Sequence, residues 1–454
     1  MNRVIERIRP TPEERARLDC VARDLLIRID DAAKAEGLDC QGILAGSAAR
    51  GTWLSGDHDL DIFLSVPEDG DLGDALFLAR RLFPKHEERY AEHAYVQAVA
   101  DGIEVDLVPC FRLEDARRIR SAVDRTPFHS IYVSRRIAGL EDQVLLLKQF
   151  MKGVGVYGSE LKTGGFSGYL AELLILRYGS FRGVLEAASD WRPGDVIDLE
   201  GHSRRDHDSP LAMIDPVDPG RNVAAALTLD RMFKFVAASR CFLEAPALDF
   251  FFPHRAEPLS EGDLLSHIHD RGTYMILVEF PAPAVVEDVL FPQLRKAEEA
   301  ISALLARGGF SVMRSVVACH RDPAGSPVSS PACLPHGLGR ILLELDIWEL
   351  PFIRKHMGPP VWEEEHLRRF LASHQPISGP YIEGGRAVVE IPRRYTRARD
   401  LIDMEISNLA LGKHISAQVR AGHVIYGGNE LLQIGDSEFR ALLTEFFRAR
   451  DRIC

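Results

Sequence analysis

The sequence predicts a multidomain α+β protein, and three observations lead to that expectation. With 454 residues, the chain is longer than one ordinary domain. Its N-terminal part alternates helical patterns with strands whose apolar residues recur at every second position. Its middle part is mainly helical in pattern, and from Tyr274 onward strands alternate with a helix again, which is typical of a separate α/β domain.

The composition is that of an ordinary soluble protein, with 46% hydrophobic and 27% charged residues. No apolar run approaches the roughly 18 residues of a membrane span, and residues 1–15 have no signal-peptide core, so we expect a cytosolic protein. Seven scattered cysteines without a Cys-x-x-Cys pair argue against a disulfide framework or a thiolate zinc site. The net charge of −12 does not exclude a nucleic-acid partner, because a local basic stripe can hold phosphates on an acidic protein.

The N-terminal elements are predicted in the order helix, strand, carboxylate-bearing strand, helix. Residues 11–14 match a capping box, and apolar residues at helical spacing extend the first helix to about Gly37. A short strand at 42–45 leads to a Gly-Ser turn, and a second helix runs from Leu72 to Leu82. Between them lies the stretch with the clearest chemical signal.

Two aspartates, Asp59 and Asp61, alternate with apolar residues after the Gly-Ser turn. In a strand both carboxylates would point to one face while Leu60 points to the core, and two parallel carboxylates favour a divalent metal. The alternative is a loop that contains Asp57 and Asp59 before a strand beginning at Leu60, because aspartates usually mark turns. We interpret Asp57 as a turn residue in either case.

A third carboxylate follows in a predicted hairpin. Segments 90–100 and 103–108 have strand patterns and are joined by Asp101-Gly102, a dipeptide suited to a tight turn. Glu104 and Asp106 share one face of the second strand. An ordinary half-exposed hairpin with acidic residues outside is the alternative explanation.

The remaining elements are predicted more coarsely. Helical patterns cover Glu141–Lys152, Phe166–Phe181 and Leu229–Glu244, and the C-terminal half contains a strand at 274–280, a helix at 292–307, a strand at 310–318, a Pro/Ser/Gly linker at 322–335, a strand at 339–350 and a charged helix at 363–373. Residues 153–158 match G-x-G-x-x-G, but they follow a helix and not a strand, so we reject a dinucleotide site. Basic residues that could form a nucleic-acid face are Arg386, Arg393, Arg394, Arg397, Arg399, Lys413 and Arg420.

Three carboxylates on neighbouring strands are what two-metal phosphoryl transfer requires, and Mg²⁺ suits such oxygen ligands. No Walker A lysine loop or EF-hand loop is present. Gly46 and Ser47 can offer backbone N–H groups and a hydroxyl to a phosphate, and Arg50 and Lys148 are candidate cations. Each of these four residues could instead be an ordinary turn glycine, turn serine or surface cation.

Together these blocks resemble the nucleotidyltransferase superfamily of polymerase β type. More narrowly, residues 13–314 resemble, in order, the archaeal-type class I CCA-adding enzymes, the tRNA nucleotidyltransferases that build CCA on tRNA 3′ ends. The segments that carry the resemblance are GSAARGTW, DLDIFL, RYAEHAYV, GIEVDLVPC, SAVDRTPFH, LLLKQFMK, GVYG, GFSGYLAELL and DPVDPGRNVAA.

The resemblance implies a polymerase β-like head sheet (1–138), a helical neck and central domain that recognises the nucleotide base (139–255), an RRM-like α/β body (256–318 and 384–454), and a linker with an α/β tail (319–383). Body and tail would bind the acceptor stem and upper half of tRNA by shape. The implied reaction adds C, C and A from CTP and ATP without a nucleic-acid template, with Mg²⁺ and release of pyrophosphate. A homodimer is compatible with the resemblance, and no zinc or flavin is implied.

Site residues also follow from the resemblance, position by position. Asp59, Asp61 and Asp106 would hold the metals, and Asp59 stands where archaeal relatives often carry Glu. The residues implied to contact the triphosphate are Ser47, Arg50, Thr126, Lys148 and Tyr157. Arg221 would read the base edge, and His93 and Tyr95 would lie by the nucleotide pocket, although His93 could equally be a surface histidine.

Two other functions are compatible with parts of the pattern. A terminal transferase of another specificity, such as poly(A) or uridylyl addition, would extend RNA as a homopolymer. An inactive RNA-binding relative would keep the fold, but the three carboxylates and Lys148 argue against it. A small-molecule nucleotidyltransferase would share the head but would not need the basic C-terminal region.

Overall fold

The structure is a computed structural model that describes residues 1–57, 59–90, 93–202, 208–254, 257–320 and 337–448. It divides into two compact units, Met1–His254 and Arg255–Arg450. Within the described ranges, no helix is long and apolar enough to cross a membrane. The linker predicted at 322–335 lies outside the described residues.

A five-stranded mixed sheet forms the N-terminal part of the first unit. Its strands are β1 (Gln41–Leu44), β2 (Asp59–Pro67), β3 (Glu87–Tyr90), β4 (Ala94–Ala100) and β5 (Ile103–Arg112), and the helices of this part are α1 (Asn2–Ile8), α2 (Pro12–Glu36), α3 (Gly46–Arg50) and α4 (Leu72–Leu82). The spatial order is β1-β2-β5-β4-β3, in which β2 and β5 run parallel and the other neighbours antiparallel. The fold therefore brings the two carboxylate strands next to each other.

One face of this sheet is buried beneath α2 and α4. Leu60, Ile62 and Leu64 of β2 join the same apolar core as Val105 and Leu107 of β5. Because side chains alternate along a strand, the carboxylates between these residues must lie on the opposite face. The period-2 pattern of the sequence thus places the candidate site on the face away from the core.

The long helix α2 forms as its sequence predicts. Thr11 Oγ1 accepts the backbone N–H of Glu14 at 3.1 Å, and the Glu14 carboxylate accepts the backbone N–H of Thr11 at 2.7 Å, so both bonds of the capping box are present. The helix ends at Gly37, whose φ of 68° favours glycine.

The single strand predicted over residues 90–100 is wrong. The structure has two strands there, and Tyr90 at the end of β3 is paired with Ala94 at the start of β4. Residues 90–94 contain no glycine or proline, which are the usual sequence signals of a turn. No strong local signal of the break was therefore available.

The rest of the first unit is mainly helical. Its elements are α5 (Arg125–Ser134), α6 (Glu141–Val154), α7 (Gly168–Tyr178), α8 (Phe181–Ala188) and α9 (Leu229–Glu244), with a small parallel pair of strands, β6 (Asp195–Ile197) and β7 (Leu211–Met213). The helix predicted over 166–181 is wrong in extent, because Gly179 ends α7 with φ 78° and the Ser180 side chain caps the start of α8. Phe150 of α6 occupies the centre of this core, within 6.0 Å, between ring centroids, of five other phenylalanines.

The second unit contains two sheets. Its helices are α10 (Glu261–Asp270), α11 (Glu287–Gly308), α12 (Glu364–Ser373), α13 (Ala398–Glu405), α14 (Lys413–Ala421) and α15 (Ser437–Arg448), and its strands are β8 (Tyr274–Pro281), β9 (Ser311–His320), β10 (Leu338–Ile347), β11 (Ile353–Pro360), β12 (Ser378–Glu383), β13 (Arg386–Pro392) and β14 (Val424–Gly427). An antiparallel sheet of order β14-β8-β10-β9 packs between α11, α13 and α14 on one face and α10 and α15 on the other. Helix α11 begins five residues earlier than predicted and continues through Pro292.

The smaller sheet of the second unit has the order β11-β13-β12. Strands β12 and β13 are paired across a hairpin, with Glu383 opposite Arg386. The boundary expected at residue 384 cuts this hairpin, so the sheet of the expected tail extends to Pro392. Local composition could not reveal this, because the pairing of two strands is a property of the fold.

Replacing Phe150 by alanine is expected to destabilise the first unit by about 3–5 kcal/mol, because the cavity left among the surrounding rings cannot collapse fully. Urea unfolding followed by tryptophan fluorescence measures this change. Phe77→Ala on α4 is the matched control, since that side chain is 48% exposed and its removal leaves no cavity. Similar losses for the two variants would contradict the central role of Phe150.

Candidate active site

The carboxylates predicted from the sequence lie on adjacent parallel strands. In the register of β2 and β5, Asp61 is directly opposite Asp106, and Asp59 is opposite Glu104. Strand β2 begins at Asp59, so the alternative of a strand beginning at Leu60 is wrong. Asp61 and Asp106 are half-buried, whereas Asp59 is exposed at the strand start.

Asp106 disfavours ionisation of Asp61, and Asp59 disfavours ionisation of both. Burial raises the pKa of Asp61, and the charges of Asp106 and Asp59 raise it further against the opposing influence of Arg50 and Lys148. Burial also raises the pKa of Asp106, although Gln97 donates a hydrogen bond of 2.9 Å to this carboxylate. A bound cation would reverse this penalty, because an opposite charge favours the ionised carboxylates.

Gly46, which was predicted as part of a Gly-Ser turn, is the first residue of the short helix α3 and lies directly against Asp61. Gly46 has φ 67°, and a Cβ atom at this position would be 1.8 Å from Oδ2 of Asp61. Only glycine satisfies both the backbone conformation and the close approach. The turn and the carboxylate strand are therefore parts of one site.

The donor set fits a hard cation such as Mg²⁺. Within the described ranges, no three His, Cys, Asp or Glu side chains stand close enough together to hold a metal ion by themselves. Mg²⁺ commonly binds through one or two carboxylates and completes its shell with water and substrate phosphate, which the opposed pair Asp61 and Asp106 can accommodate. The exposed Asp59 is available as a further oxygen ligand.

A cavity of about 290 Å³ adjoins this carboxylate face. The residues that line it are Ser47, Trp53, Leu54, Asp57, Asp59, Lys148, Lys152 and Tyr157. The structure thus brings Ser47, Lys148 and Tyr157 together with Asp59, as expected for a nucleotide pocket. Lys148 is buried, which lowers the pKa of its ammonium group, and its Nζ donates a hydrogen bond of 2.9 Å to the Thr52 carbonyl.

The sequence did not identify Lys152 and Asp57 as pocket residues. The ammonium group of Lys152 is ion-paired with the carboxylate of Asp57, a residue interpreted from the sequence as part of a turn. Lys152 follows Lys148 by four residues on α6, and residues at that spacing share a helix face. This spacing was the available signal for Lys152, but Asp57 gave none.

Arg50 does not line the cavity. Its side chain is 7% exposed, and its guanidinium donates to Glu172 and to Ser130 Oγ, each at 3.0 Å. The hydroxyl of Thr52 donates to the same buried glutamate. Glu172, which the sequence did not single out, holds Arg50 close enough to Asp61 to oppose the rise in its pKa.

A second cluster contains Arg221 and the helix of Thr126. Nη1 of Arg221 lies 2.8 Å from Oδ2 of the buried Asp215, and Nε2 of His129 lies 2.8 Å from the same oxygen. Burial raises the pKa of Asp215, but the hydrogen bonds from His129 and Arg221 outweigh it and lower the pKa to about 2. Burial lowers the pKa of His129 despite its bond to Asp215.

The structure connects Tyr95 to the carboxylates more clearly than His93. Tyr95 lies two residues before Gln97 on β4, and Gln97 is opposite Asp106, so Tyr95 shares the carboxylate face. Burial raises the pKa of Tyr95, and the charges of Asp106 and Asp61 add to this effect. His93 is half-buried before β4, and among the described residues no hydrogen bond or ring contact joins it to the site.

Comparison with known proteins matches three segments of the chain to family models and nearly the whole chain to relatives. A family model for a nucleotidyltransferase domain matches residues 27–129, one for a tRNA nucleotidyltransferase second domain matches 142–252, and one for a CCA-adding enzyme C-terminal domain matches 271–428. The CCA-adding enzyme of Methanosarcina acetivorans is 44% identical over 98% of this chain and 97% of its own length. The corresponding enzymes of Methanothermobacter thermautotrophicus and Haloarcula marismortui are 41% and 37% identical over 98% of this chain and 96% and 97% of their own lengths.

Replacing Gly46 by alanine is expected to abolish the function of the carboxylate face, because the new Cβ must displace Asp61. Gly51→Ala is a matched control: its φ of 65° imposes the same backbone strain, but no atom lies within 4 Å of the added Cβ. We expect similar losses of thermal stability and a loss of nucleotidyl transfer only in Gly46→Ala. Equal activity of the two variants would contradict the contact.

The stability of the first unit is expected to depend on pH through His129. Because its pKa is lowered in the folded protein, the unfolded chain binds more protons below the ordinary histidine pKa of about 6.5, and stability is lost as pH falls through that range. Gln at position 129 cannot titrate, so His129→Gln should be less destabilising at pH 5.5 than at pH 8. Urea unfolding of both proteins at the two pH values measures the difference, and a larger cost at pH 5.5 would contradict the direction.

Proposed function

Because the chain belongs to the family of CCA-adding enzymes, we propose that the site described above carries out CCA addition to tRNA. The enzyme is a nucleotidyltransferase that adds C, C and A from CTP and ATP to the tRNA 3′ end without a nucleic-acid template. The opposition of Asp61 and Asp106 next to a cavity lined by Ser47, Lys148 and Tyr157 supports this proposal most directly.

Asp59, Asp61 and Asp106 are the residues that would hold Mg²⁺. When bound, the cation would supply charge neutralisation for the phosphates and lower the pKa of the attacking hydroxyl. The buried carboxylates contribute their positions, which the core beneath β2 and β5 holds rigidly. The neighbouring negative charges that contribute to their raised pKa values would also attract a cation.

The cavity would receive the triphosphate. Lys148 and Lys152 place two ammonium groups on one side of α6, and the hydroxyl groups of Ser47 and Tyr157 can donate to phosphate oxygens. A bound anion favours the charged form of Lys148, whose pKa burial otherwise lowers. Thr126 and Arg50 remain proposed triphosphate contacts, and Arg50 would need to exchange or extend its contacts with Glu172.

The chemical step needs positioning more than proton chemistry by the protein. The 3′-hydroxyl of the tRNA loses its proton to solvent as its oxygen forms a bond to the α-phosphorus, and the bond from this phosphorus to the α–β bridging oxygen breaks, which releases pyrophosphate. Residues of the cavity would hold the leaving pyrophosphate, and the carboxylate face would hold the cation that neutralises the α-phosphate. Such alignment of reactants supplies much of the rate enhancement.

Base selection is proposed to involve Arg221, with Tyr95 and His93 near the nucleotide. The guanidinium of Arg221 is partly exposed while Asp215 holds one of its nitrogens, so the remaining donors can meet acceptors on a base edge. Tyr95 offers a ring on the same sheet face as Asp106.

The second unit is proposed to bind the acceptor stem and upper half of tRNA. Recognition by shape and by phosphate contacts suits a duplex RNA partner. Part of the positive charge expected from the sequence is neutralised, because Arg394, Arg397 and Arg399 form ion pairs with glutamates of the same unit. We therefore assign less of the binding energy to these three residues than the sequence alone suggested. A cytosolic location and a homodimer also remain proposals that rest on the family.

Incubation with Mg²⁺, labelled CTP and ATP, and a tRNA lacking its CCA end should extend the tRNA by C, C and A and then stop. Asp61→Asn and Asp106→Asn should each slow this addition by about a thousandfold, because a lost ligand removes several kcal/mol of charge stabilisation. Asp31→Asn, the same change at an exposed position of α2, should leave the rate unchanged.

Other products would identify the rival functions. Growth of a homopolymer that does not stop after A would indicate a terminal transferase of another specificity. Binding of tRNA without any addition, together with unchanged behaviour of Asp61→Asn, would indicate an inactive RNA-binding relative.

A further inference from the structure

The buried carboxylate of Asp215 takes no part in the chemical step, but it lies directly behind Arg221. Its side chain is 0% exposed, and Oδ2 accepts from Nη1 of Arg221 and faces Nε2 of His129, both at 2.8 Å. Oδ1 accepts the backbone N–H of Val217 at 3.0 Å and the hydroxyl of Tyr169 at 3.4 Å. Both oxygens are thus satisfied by polar partners.

Burying a charged group costs a large desolvation free energy unless hydrogen-bonding or charged partners offset it. Here the compensation comes from one charged and three neutral donors that belong to different elements. Removal of the charge would therefore release several groups at once. Asp215 is more than a local turn residue for this reason.

Backbone hydrogen bonds around Asp215 also fix the position of the Arg221 main chain. The N–H of Asp215 donates to the carbonyl of Arg221 at 3.1 Å, which closes the loop between the two residues. The side-chain oxygen of Asn222 accepts the N–H groups of Met213 and Ala224 at 2.9 and 2.8 Å and anchors the end of that loop. The Arg221 side chain is 37% exposed, so it extends from a fixed base towards the solvent.

An arginine side chain that rotates freely would lose considerable conformational entropy on binding a base. The bond to Asp215 restricts the guanidinium before the nucleotide arrives. One edge of the guanidinium is thereby occupied, and its remaining N–H donors point in a fixed direction.

The same carboxylate joins Arg221 to the helix of Thr126. His129 is on α5, one turn after Thr126, and its ring stacks on Tyr169 with 4.2 Å between centroids. Arg125 at the start of α5 forms a second link, with its Nε 2.7 Å from Asp218 of the loop. The proposed base-reading and triphosphate residues are therefore parts of one connected network.

We propose that Asp215 is a positioning residue that orients Arg221 towards the edge of the incoming base and is thereby a determinant of nucleotide choice. This inference rests on the proposed function, because it requires that Arg221 reads CTP and ATP. Asp215 acts through Arg221 and does not itself touch the nucleotide.

The test is nucleotide discrimination by Asp215→Asn, which keeps the shape of the side chain and removes its charge. We expect the ratio of kcat/KM for CTP over UTP to fall by about tenfold, in line with the loss of one well-oriented base contact. The loss should be in KM, with kcat for CTP changed by less than about twofold. Asp208→Asn makes the same change at an exposed position before β7 and should leave the ratio as in the wild type.

A double variant separates positioning from an independent effect. If Asp215 acts through Arg221, Asp215→Asn should cause no further loss of discrimination in an Arg221→Ala background. Additive losses would overturn the proposal, and so would wild-type discrimination in Asp215→Asn or in Arg221→Ala. Thermal unfolding shows whether Asp215→Asn folds. If it does not, Asp215→Glu is measured instead, since it keeps the charge but shifts it by one carbon. Unchanged discrimination in Asp215→Glu would then overturn the proposal.

The outcomes also separate this inference from the proposed function. If the wild-type enzyme adds no CCA, the proposed function fails. If it adds CCA and Arg221→Ala lowers discrimination while Asp215→Asn does not, only the positioning role fails.

Discussion

The repulsion between Asp61 and Asp106 is the constraint on which the site depends. Two half-buried carboxylates stand opposite each other on parallel strands, and burial together with nearby acidic side chains raises the pKa of both. They stay in place because the alternate residues of both strands are packed into the core beneath α2 and α4. The apolar side of the sheet thus holds the polar side in an arrangement that a divalent cation would stabilise.

The cations around this face are organised by carboxylates of their own. Glu172 holds Arg50, Asp57 holds Lys152 and Asp215 holds Arg221, so the three cationic side chains have anionic partners before any nucleotide binds. Such pairs add little net stability. Solvent weakens the exposed pair of Lys152 with Asp57, and desolvation offsets the attraction in the buried pair of Arg50 with Glu172. Their value lies in orientation, since a held side chain loses less entropy when a ligand arrives.

Most of the fold follows from local patterns. The capping box and apolar periodicity identify α2, and the period-2 alternation places Asp59 and Asp61 on one face of β2. Errors occurred where a break has no strong local signal, as at residues 90–94, or where a boundary depends on strand pairing, as at residue 384. In both cases the deciding hydrogen bonds join separate strands and leave no trace in composition.

The sequence by itself determined the family and the face of the sheet on which Asp59, Asp61 and Asp106 lie, because alternation along a strand is a local property. It also identified Ser47, Lys148 and Tyr157, which the structure gathers around one cavity. Only the tertiary structure decided that Asp57 holds Lys152 and that Glu172 holds Arg50, because these pairs span 95 and 122 residues. Contacts over such separations depend on how helices and strands pack, and no residue spacing along the chain encodes them.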